Sequence, residues 1–279
     1  RAAGGAPALA QAMAAAASSF RDLVLRATDE DYPPLIHLPH SIISLARYRR
    51  WRLEEGEPCA WLYDLFVSFF SHSQGGGAGC KALLEGRILT SYICRWDYTH
   101  FHIGAYLLSY WSPWDMVYRA MMRPRHPGRL FCVAMDALDG VTTTCAMVDA
   151  AVSKHPSNRF LPAVVGVVLY KTGALVRWLD RRSRGKGDKV FLAQPDSGVA
   201  RGVVLAMLYL CLGRAWRGGV SRDRVLVLLS ALEVLLEVCE DAWDFDAFGA
   251  LAGPAQSALR PLQKLAARLR LGLPPAFDA

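Results

Sequence analysis

Residues 130–148 read LFCVAMDALDGVTTTCAMV, and the fold class turns on this stretch. It is apolar almost throughout, yet it carries Asp136 and Asp139 well inside the run. A helix needs about 20 residues to cross the ~30 Å hydrocarbon core of a bilayer, so the stretch is nearly long enough to do so. Taken alone, it is equally compatible with a buried helix of a soluble bundle.

Six more apolar segments of comparable length surround this one. The quoted stretch belongs to the segment 130–152. The other six segments lie at 33–48, 59–84, 99–121, 160–180, 197–215 and 223–241. Prolines, glycines and short basic runs fall between the segments, as expected of connections. Seven such segments in a row favour a membrane bundle over a soluble one. We therefore predict an all-α membrane protein with seven transmembrane helices.

The composition agrees with this prediction without requiring it. Hydrophobic residues make up 53% of the 279 residues and charged residues 20%, a modest shift from the average soluble domain, and the mean hydropathy is +0.17. The net charge of +7 is spread between the apolar segments, without a separate basic tail or an aromatic and basic strand. Nucleic-acid binding is therefore not expected.

No sequence motif points to enzyme chemistry or to a bound cofactor. The patterns of a nucleophile elbow, a phosphate-binding loop, a dinucleotide site and a zinc protease are absent. The seven cysteines are scattered without a CxxC pair, which favours neither a disulfide framework nor a zinc site. His37 and His40 are three residues apart and could share a helix face, but no third metal ligand accompanies them. We expect no catalysis, no metal and no cofactor.

Lysines and arginines are distributed unevenly between alternate loops. The loops after the first, third and fifth segments, together with the C-terminal tail, carry the larger share. Because positive residues favour the cytosolic side, we expect a cytosolic C-terminus and a luminal N-terminus. The chain then divides into a partly disordered luminal segment, a first three-helix repeat, a second three-helix repeat, a seventh helix and a cytosolic tail, at 1–32, 33–122, 129–215, 223–241 and 242–279.

Glycines interrupt two of the apolar segments at corresponding positions. The second segment contains Gly75, Gly76 and Gly77, and the fifth contains Gly166 and Gly173 on either side of Lys171. Glycine breaks in a membrane helix are tolerated where the freed backbone lines a cavity or packs closely. Matching breaks in segments two and five indicate two inverted repeats whose broken helices meet near the midplane. The alternative interpretation of the glycine triplet is a surface loop.

Ionisable residues within apolar segments mark the expected ion path. They are costly in lipid and therefore usually face a pore or pair with one another. The candidates are Asp115, Asp136, Asp139 and Lys171. Because Asp139 and Lys171 carry opposite charges and would face the same midplane, we hypothesise that they form a gate pair. Threonines 142–144 can bond back to their own helix or line a polar path, and the first arrangement is the commoner one.

Five short motifs together resemble the trimeric intracellular cation channels, in order and with similar spacing over roughly residues 33–215. Ser112-Pro-Trp-Asp-Met-Val117 is similar to Pro-His-Asp-Leu-Val of the family's third helix, and the glycine triplet is similar to Gly-Gly-Gly of its second helix. The remaining three are His40-Ser-Ile-Ile-Ser44 followed by Arg47 to Arg50, the stretch 138–144, and Gly166 and Gly173 followed by Trp178-Leu-Asp-Arg181. Each motif is weak alone, and the set is fairly specific.

The resemblance implies a homotrimer with one pore inside each protomer, lined mainly by helices two and five. It implies passive, voltage-influenced flow of potassium and similar monovalent cations across an endoplasmic or sarcoplasmic reticulum membrane, which balances charge during calcium release. The residues that we expect to line or gate the pore are Gly75, Gly76, Gly77, Asp115, Asp139, Gly140, Thr143, Gly166, Lys171 and Gly173.

The chain departs from the family where the family binds lipid. The family's Lys-Glu pair is Asp139-Gly140 here, and the Arg that follows is Thr143. In the family that Lys and Arg contribute to binding a phosphoinositide head group, so their replacement weakens the expectation of this lipid partner, which Lys171 could partly restore. Trp114 replaces the His of the third-helix motif, a change expected to alter gating. A secondary transporter and a soluble all-helical binding protein are the alternative functions.

Overall fold

The computed structural model describes residues 5–28, 34–57, 61–70, 96–158, 161, 164–165, 173, 176, 179–185, 197–215 and 221–243. Over these ranges the chain is helical and contains no strand, so the predicted all-α class is confirmed. The helices are α1 (Gly5–Thr28), α2 (Pro34–Glu54), α3 (Trp61–Ser68), α4 (Trp96–Trp111), α5 (Met116–Met122), α6 (Pro127–Lys154), α7 (Ser197–Ala215) and α8 (Arg222–Trp243), with a 3₁₀ turn at Pro113–Asp115.

Helix α6, which contains the apolar stretch quoted first, lies at the centre of the bundle. Its buried side chains pack with those of α1, α7 and α8 in one apolar core. The buried members of that core on α6 and α8 are Met135, Leu138, Val141, Cys145, Met147, Val148, Val225, Leu226 and Leu229. The opposite side of α6 packs on α2, where Ile43 and Ala46 meet Cys132 and Val133. The dense packing of these apolar side chains holds the helices together.

Two ion-pair groups join α6 to α8 near opposite ends of α6. At the start of α6, Arg129 makes a two-pronged pair with Asp241, at 2.7 Å from Nε to Oδ2 and 2.6 Å from Nη2 to Oδ1. Towards its other end, Arg222 Nη2 lies 2.6 Å from Asp149 Oδ2, and Tyr209 of α7 donates to the same carboxylate oxygen at 2.8 Å. Because the start of one helix pairs with the end of the other, α6 and α8 are antiparallel.

The third apolar segment is broken, and the prediction of one helix across 99–121 is wrong. Helix α4 ends at Trp111, and α5 begins at Met116 after the turn at Pro113–Asp115. Ser112 is extended (φ −63°, ψ 141°), as expected of a residue before proline. Trp114 and Asp115 then both adopt left-handed backbone angles, with φ 52° and 58°. Such angles are unfavourable for residues with a side chain, so this corner needs outside support.

Arg49 of α2 supplies that support. Its guanidinium donates to Asp115 Oδ1 and Oδ2 at 3.0 and 3.1 Å, and to the backbone oxygen of Ser109 at 2.7 Å. The same guanidinium lies over the rings of Tyr110 and Tyr118, at 5.2 and 4.3 Å from their centroids. A bidentate arginine–carboxylate pair fixes orientation as well as distance. The break in segment three is therefore held to the basic end of α2.

Replacing Asp115 by alanine should destabilise the protein by about 1–2 kcal/mol. The variant loses the pair with Arg49 and places alanine at a left-handed position that aspartate tolerates better. Asp115→Asn should cost less, because asparagine keeps that tolerance and loses only the charge. The midpoint of thermal unfolding in detergent measures both, with Asp223→Ala at an exposed position of α8 as control. Equal losses from the alanine and asparagine variants would contradict this account of the corner.

The N-terminal segment also differs from expectation. Sequence reasoning gave 1–32 no helix, whereas the structure forms α1 across Gly5–Thr28. Val24 and Ala27 are fully buried in the core with α6 and α8. Alanine has the highest helix propensity, which explains why this Ala-rich stretch is helical once its last turns can pack. Helix α2 also runs past the predicted end at 48, so the run from Arg47 to Arg52 lies within it.

Within the described ranges, one helix is long and apolar enough to cross a membrane, namely Pro127–Ser153 of α6. Arg201–Leu212 of α7 is apolar but shorter. The predicted sixth segment, 197–215, coincides with α7, and the predicted seventh, 223–241, lies within α8. The second half of segment two and most of segment five lie outside the described residues. The count of seven membrane helices therefore stays a prediction.

Candidate functional site: a histidine–aspartate cluster between α2 and α6

The α2–α6 polar cluster consists of His37, His40 and Arg47 of α2 and Asp136 and Asp139 of α6. Residues three or four apart on a helix lie on the same face, and residues seven apart return to it after two turns. The spacings of three and seven on α2, and of three on α6, therefore bring all five side chains into the seam between the helices. Pro39 lies within α2 between the two histidines, where it removes one helical hydrogen bond.

Asp136 is the tightly held member of the α2–α6 polar cluster. His40 Nδ1 lies 2.6 Å from Asp136 Oδ1, and Arg47 Nη1 donates to Asp136 Oδ2 at 2.6 Å. Because a carboxylate accepts hydrogen bonds, the proton of this His40 contact is on Nδ1. Each oxygen of Asp136 therefore has its own donor, and the two contacts tie α6 to two turns of α2.

Asp139 is held more loosely, between the two histidines. His37 Nδ1 lies 3.7 Å from Asp139 Oδ1, and His40 Nε2 lies 3.9 Å from Asp139 Oδ2. Both distances exceed the usual hydrogen-bond range, and Oδ1 makes no hydrogen bond within the described residues. Carboxylates and imidazoles thus alternate along the seam in the order Asp136, His40, Asp139, His37.

The α2–α6 polar cluster is shielded and carries an uneven charge. His37 and His40 are 2% and 9% exposed, and the Asp139 side chain is 15% exposed. Two carboxylates face one guanidinium, so the net charge is −1 while both imidazoles are neutral. A charge removed from water is costly unless it is paired and hydrogen-bonded. Asp136 meets that condition through His40 and Arg47, whereas Asp139 has two imidazoles beyond hydrogen-bond distance.

Further polar side chains are buried on α2 and α4. Ser41 and Ser44 of α2 are buried beside the histidines in sequence. His102 of α4 is also buried, and its Nε2 lies 3.2 Å from Ser68 Oγ and 3.0 Å from the Leu65 backbone oxygen, both of α3. The interior around α2 therefore contains several polar side chains among apolar ones.

The other predicted site residues fall into three groups. Asp115 lies at the corner paired with Arg49, as described above. Gly140 and Thr143 are half-buried on α6 beside Asp139 in sequence, and Gly173 is a helical, half-buried position. Gly75, Gly76, Gly77, Gly166 and Lys171 lie outside the described residues. The Asp139–Lys171 gate pair therefore stays a prediction, and the partners that the structure gives Asp139 are His37 and His40.

Thr142 makes the commoner of the two arrangements considered for the threonine run. Its hydroxyl donates to the Leu138 backbone oxygen at 2.9 Å and approaches that of Asp139 at 3.2 Å. The side chain thus bonds to its own helix, the usual behaviour of threonine within a helix. Thr142 is accordingly part of the hydrogen-bond network of the α6 backbone.

A second buried charged group, which we call the Arg201 cluster, lies between α7 and α8. Arg201 contacts Glu233 at 3.3 Å from Nε to Oε1 and also pairs with Glu237 and Glu240. The sequence shows Glu233 and Glu237 four apart on one face, which requires a polar partner, and Arg201 is that partner. Within the described ranges, no set of three or more His, Cys, Asp or Glu side chains is arranged to hold a metal ion.

Sequence reasoning singled out the members of the α2–α6 polar cluster separately and did not join them. The sequence shows the histidine pair and both aspartates, but it places Arg47 in a predicted basic loop. The signal that could have joined them is the shared spacing of three, His37 with His40 and Asp136 with Asp139, on two adjacent apolar segments. Complementary pairs at equal spacing on two helices indicate that the helices face each other.

Comparisons of the sequence and of the structure with known proteins differ in outcome. No family model matches the sequence, and no curated protein is similar to it in sequence. The structure is similar to that of a trimeric intracellular cation channel from C. elegans without Ca²⁺, with a TM-score of 0.60 and 15% identity, covering 80% of this chain and 96% of that one. The Ca²⁺-bound structure from C. elegans gives a TM-score of 0.54 and 14% identity, covering 80% and 97%. This chain therefore has the fold of the trimeric intracellular cation channels, with a strongly diverged sequence.

Proposed function

We propose that this protein is a channel for monovalent cations, potassium foremost, in an intracellular membrane. The observation that carries the proposal is the α2–α6 polar cluster, a buried group of net negative charge in a bundle with the fold of cation channels. Ionisable side chains at membrane depth usually mark an ion pathway. A net negative charge in such a position attracts cations and repels anions.

The outer faces of the helices support a membrane location. Large apolar side chains are exposed on several helices, including Trp61, Leu62, Phe66, Leu107, Leu108, Trp111, Leu228, Leu232 and Leu235. Soluble monomers rarely expose apolar surface on this scale, whereas a helix that faces lipid does so along its whole length. Part of this surface would instead be covered by neighbouring protomers in the homotrimer that we propose.

The long contacts of Asp139 favour weak, transient binding of a cation over tight binding. Conduction requires binding that is favourable enough to admit the ion and weak enough to release it. Among the described residues, no hydrogen bond fixes the Asp139 carboxylate, so its charge can interact with a passing cation. We propose that Asp139, with Gly140 and Thr143 beside it, lies along the pore, together with the glycines of segments two and five and with Lys171 as a counter-charge.

The cellular role that we propose follows from the channel proposal. A potassium-permeable channel in the endoplasmic reticulum lets counter-ions flow when calcium leaves the store, so that the membrane potential does not oppose release. A phosphoinositide site is not part of this proposal, because aspartate, glycine and threonine at 139, 140 and 143 offer no cationic group for a phosphate.

Recording from the purified protein in a planar bilayer with asymmetric KCl tests the proposal. We expect unitary current steps. The reversal potential should be shifted from zero towards the equilibrium potential of potassium and away from that of chloride. A secondary transporter would move potassium into liposomes without unitary steps. A soluble binding protein would be released from membranes by alkaline carbonate. Either result would overturn the channel proposal.

Replacing Asp139 by asparagine should lower the unitary potassium conductance by about threefold or more. The substitution removes one of the two carboxylate charges that make the seam negative, and a charge near a narrow path strongly affects local cation concentration. The same recording measures it. Asp223→Asn, which neutralises an exposed aspartate on α8, is the matched control and should conduct as the unsubstituted protein does. Unchanged conductance in Asp139→Asn would remove Asp139 from the pathway.

A further inference from the structure

The alternating order of carboxylates and imidazoles along the seam gives the α2–α6 polar cluster a property beyond negative charge. His40 Nδ1 is committed to Asp136 at 2.6 Å, which leaves Nε2 as the nitrogen that faces Asp139 at 3.9 Å. His37 presents Nδ1 to the other oxygen of Asp139 at 3.7 Å. Asp139 therefore lies between two imidazole nitrogens, one from each histidine. A proton arriving on either nitrogen would find a carboxylate directly opposite.

We propose that His37, His40 and Asp139 form a proton-binding site, and that proton occupancy of this site closes the seam to cations. The regulatory half of this inference rests on the proposed channel function, whereas the proton-binding half stands on the geometry of the α2–α6 polar cluster alone. Histidine is the side chain whose charge ordinarily changes between about pH 5 and 8. Protons can therefore act as the ligand of such a site at physiological pH.

Protonation reverses the charge of the α2–α6 polar cluster. With neutral imidazoles the two carboxylates and Arg47 sum to −1. With both histidines protonated the same five side chains sum to +1. The titratable groups that face the histidines from the neighbouring described helices include the two aspartates of α6 and His102 of α4, whereas the residue that α5 buries against α2 is the apolar Met121.

Protonation also changes what Asp139 can do. A protonated imidazole donates from both nitrogens. The gaps of 3.7 and 3.9 Å to Asp139 are about 1 Å longer than a charge-assisted hydrogen bond, so a small movement of the Asp139 side chain towards the two histidines would convert both contacts into such bonds. Asp139 would then be held by two donors and would no longer be available to a passing cation. Charge reversal and capture of Asp139 act in the same direction.

The sign of the effect follows directly. While the histidines are neutral, the seam is negative and cations pass. When the histidines take up protons, the seam becomes positive and cation flow decreases. Because unit charges a few ångströms from an ion in a shielded site have large effects, we expect potassium flux to fall roughly tenfold or more between about pH 7.5 and 5.5.

Potassium efflux from proteoliposomes at pH 7.5 and 5.5 tests the regulatory half. The protein should show the tenfold decrease, and the double variant His37→Gln, His40→Gln should lose most of it. His155→Gln, which changes an exposed histidine just after α6, is the matched control and should keep the decrease. An equal pH response in the double variant and the unsubstituted protein would overturn the proposal.

Nitrogen-15 NMR of histidine side chains in the unsubstituted protein tests proton binding without relying on a variant that could fail to fold. Single His→Gln variants assign the signals. We expect the His37 and His40 signals to shift from neutral to protonated between pH 7.5 and 5.5, and the Asp139→Asn variant to move that transition to lower pH. Signals that stay constant over this range would overturn the proton site. Absence of potassium flux at every pH, with normal histidine titration, would instead overturn the channel function and leave the proton site standing.

Discussion

Replacement of Arg201 by methionine is expected to lower the free energy of unfolding by about 3–5 kcal/mol. Arg201 is the shared ion-pair partner of Glu233, Glu237 and Glu240 in the Arg201 cluster between α7 and α8. Methionine fills a similar volume but carries no charge. Breaking a buried ion pair from one side leaves the opposite charge uncompensated, which costs much more than the intact pair contributes. Here three carboxylates would be left facing one another.

The thermal unfolding midpoint in detergent, read from the loss of the monodisperse peak in size-exclusion chromatography, measures this effect. Arg224→Met, at an exposed position in the first turn of α8, is the matched control and should shift the midpoint little. The double variant Arg201→Met, Glu237→Gln should recover part of the loss, because residues in one ion-pair network are coupled. A midpoint for Arg201→Met as high as that of Arg224→Met would show that the carboxylates do not depend on the arginine.

Substitutions of the two aspartates of the α2–α6 polar cluster should have different effects. Asp136→Asn should mainly lower stability, whereas Asp139→Asn should mainly lower conductance. Asp136→Asn is expected to cost about 2–3 kcal/mol, since hydrogen bonds to a charged group each contribute about 1.5–3 kcal/mol and both contacts are 2.6 Å long. Asp139→Asn is expected to cost less than about 1 kcal/mol, because its contacts at 3.7 and 3.9 Å are not hydrogen bonds. The conductance of the Asp139 variant should nevertheless fall, as argued above.

Unfolding midpoints of the two variants, measured side by side in the same detergent, decide this contrast. The substitutions are chemically identical and lie three residues apart on one helix, so each serves as the control for the other. Equal losses of stability would mean that the short contacts of Asp136 contribute no more than the long contacts of Asp139. A larger loss for Asp139→Asn would reverse the assignment of the two roles.

The long apolar elements could be predicted from the sequence because their signal is local. The sequence predicts segment six at 197–215, and α7 spans Ser197–Ala215. The run of leucine and valine between a proline and a glycine-rich stretch was sufficient there. The requirement of Glu233 for a polar partner was also visible, since an acidic side chain in an apolar helix must be paired. The fold resemblance, built from weak motifs in the right order, agrees with the structural similarity.

The missed features depend on contacts between distant parts of the chain. The corner at Ser112–Asp115 has apolar residues on both sides. Hydropathy alone therefore predicts one continuous segment there, although the Ser-Pro pair is a turn signal. Helix α1 gains its stability from burial of Val24 and Ala27 against α6 and α8, which an Ala-rich sequence does not reveal. The pairing of His40 with Asp136 joins residues 96 positions apart. Spacing within each helix was visible, but the register of α2 against α6 was not.

The ion pairs near the two ends of α6 have a mechanical consequence. Ion pairs between Arg129 and Asp241 and between Asp149 and Arg222 join the antiparallel helices α6 and α8 at two widely separated points. Sliding or splaying between these two helices would have to break one of the pairs, which favours movement of the two helices together. Among the described helices, a change in the surroundings of Asp139 would then come from a tilt or axial shift of α2, which would strain the contacts of Asp136 with His40 and Arg47. Because Arg49 joins α2 to Asp115, a movement of α2 would also displace the corner between α4 and α5.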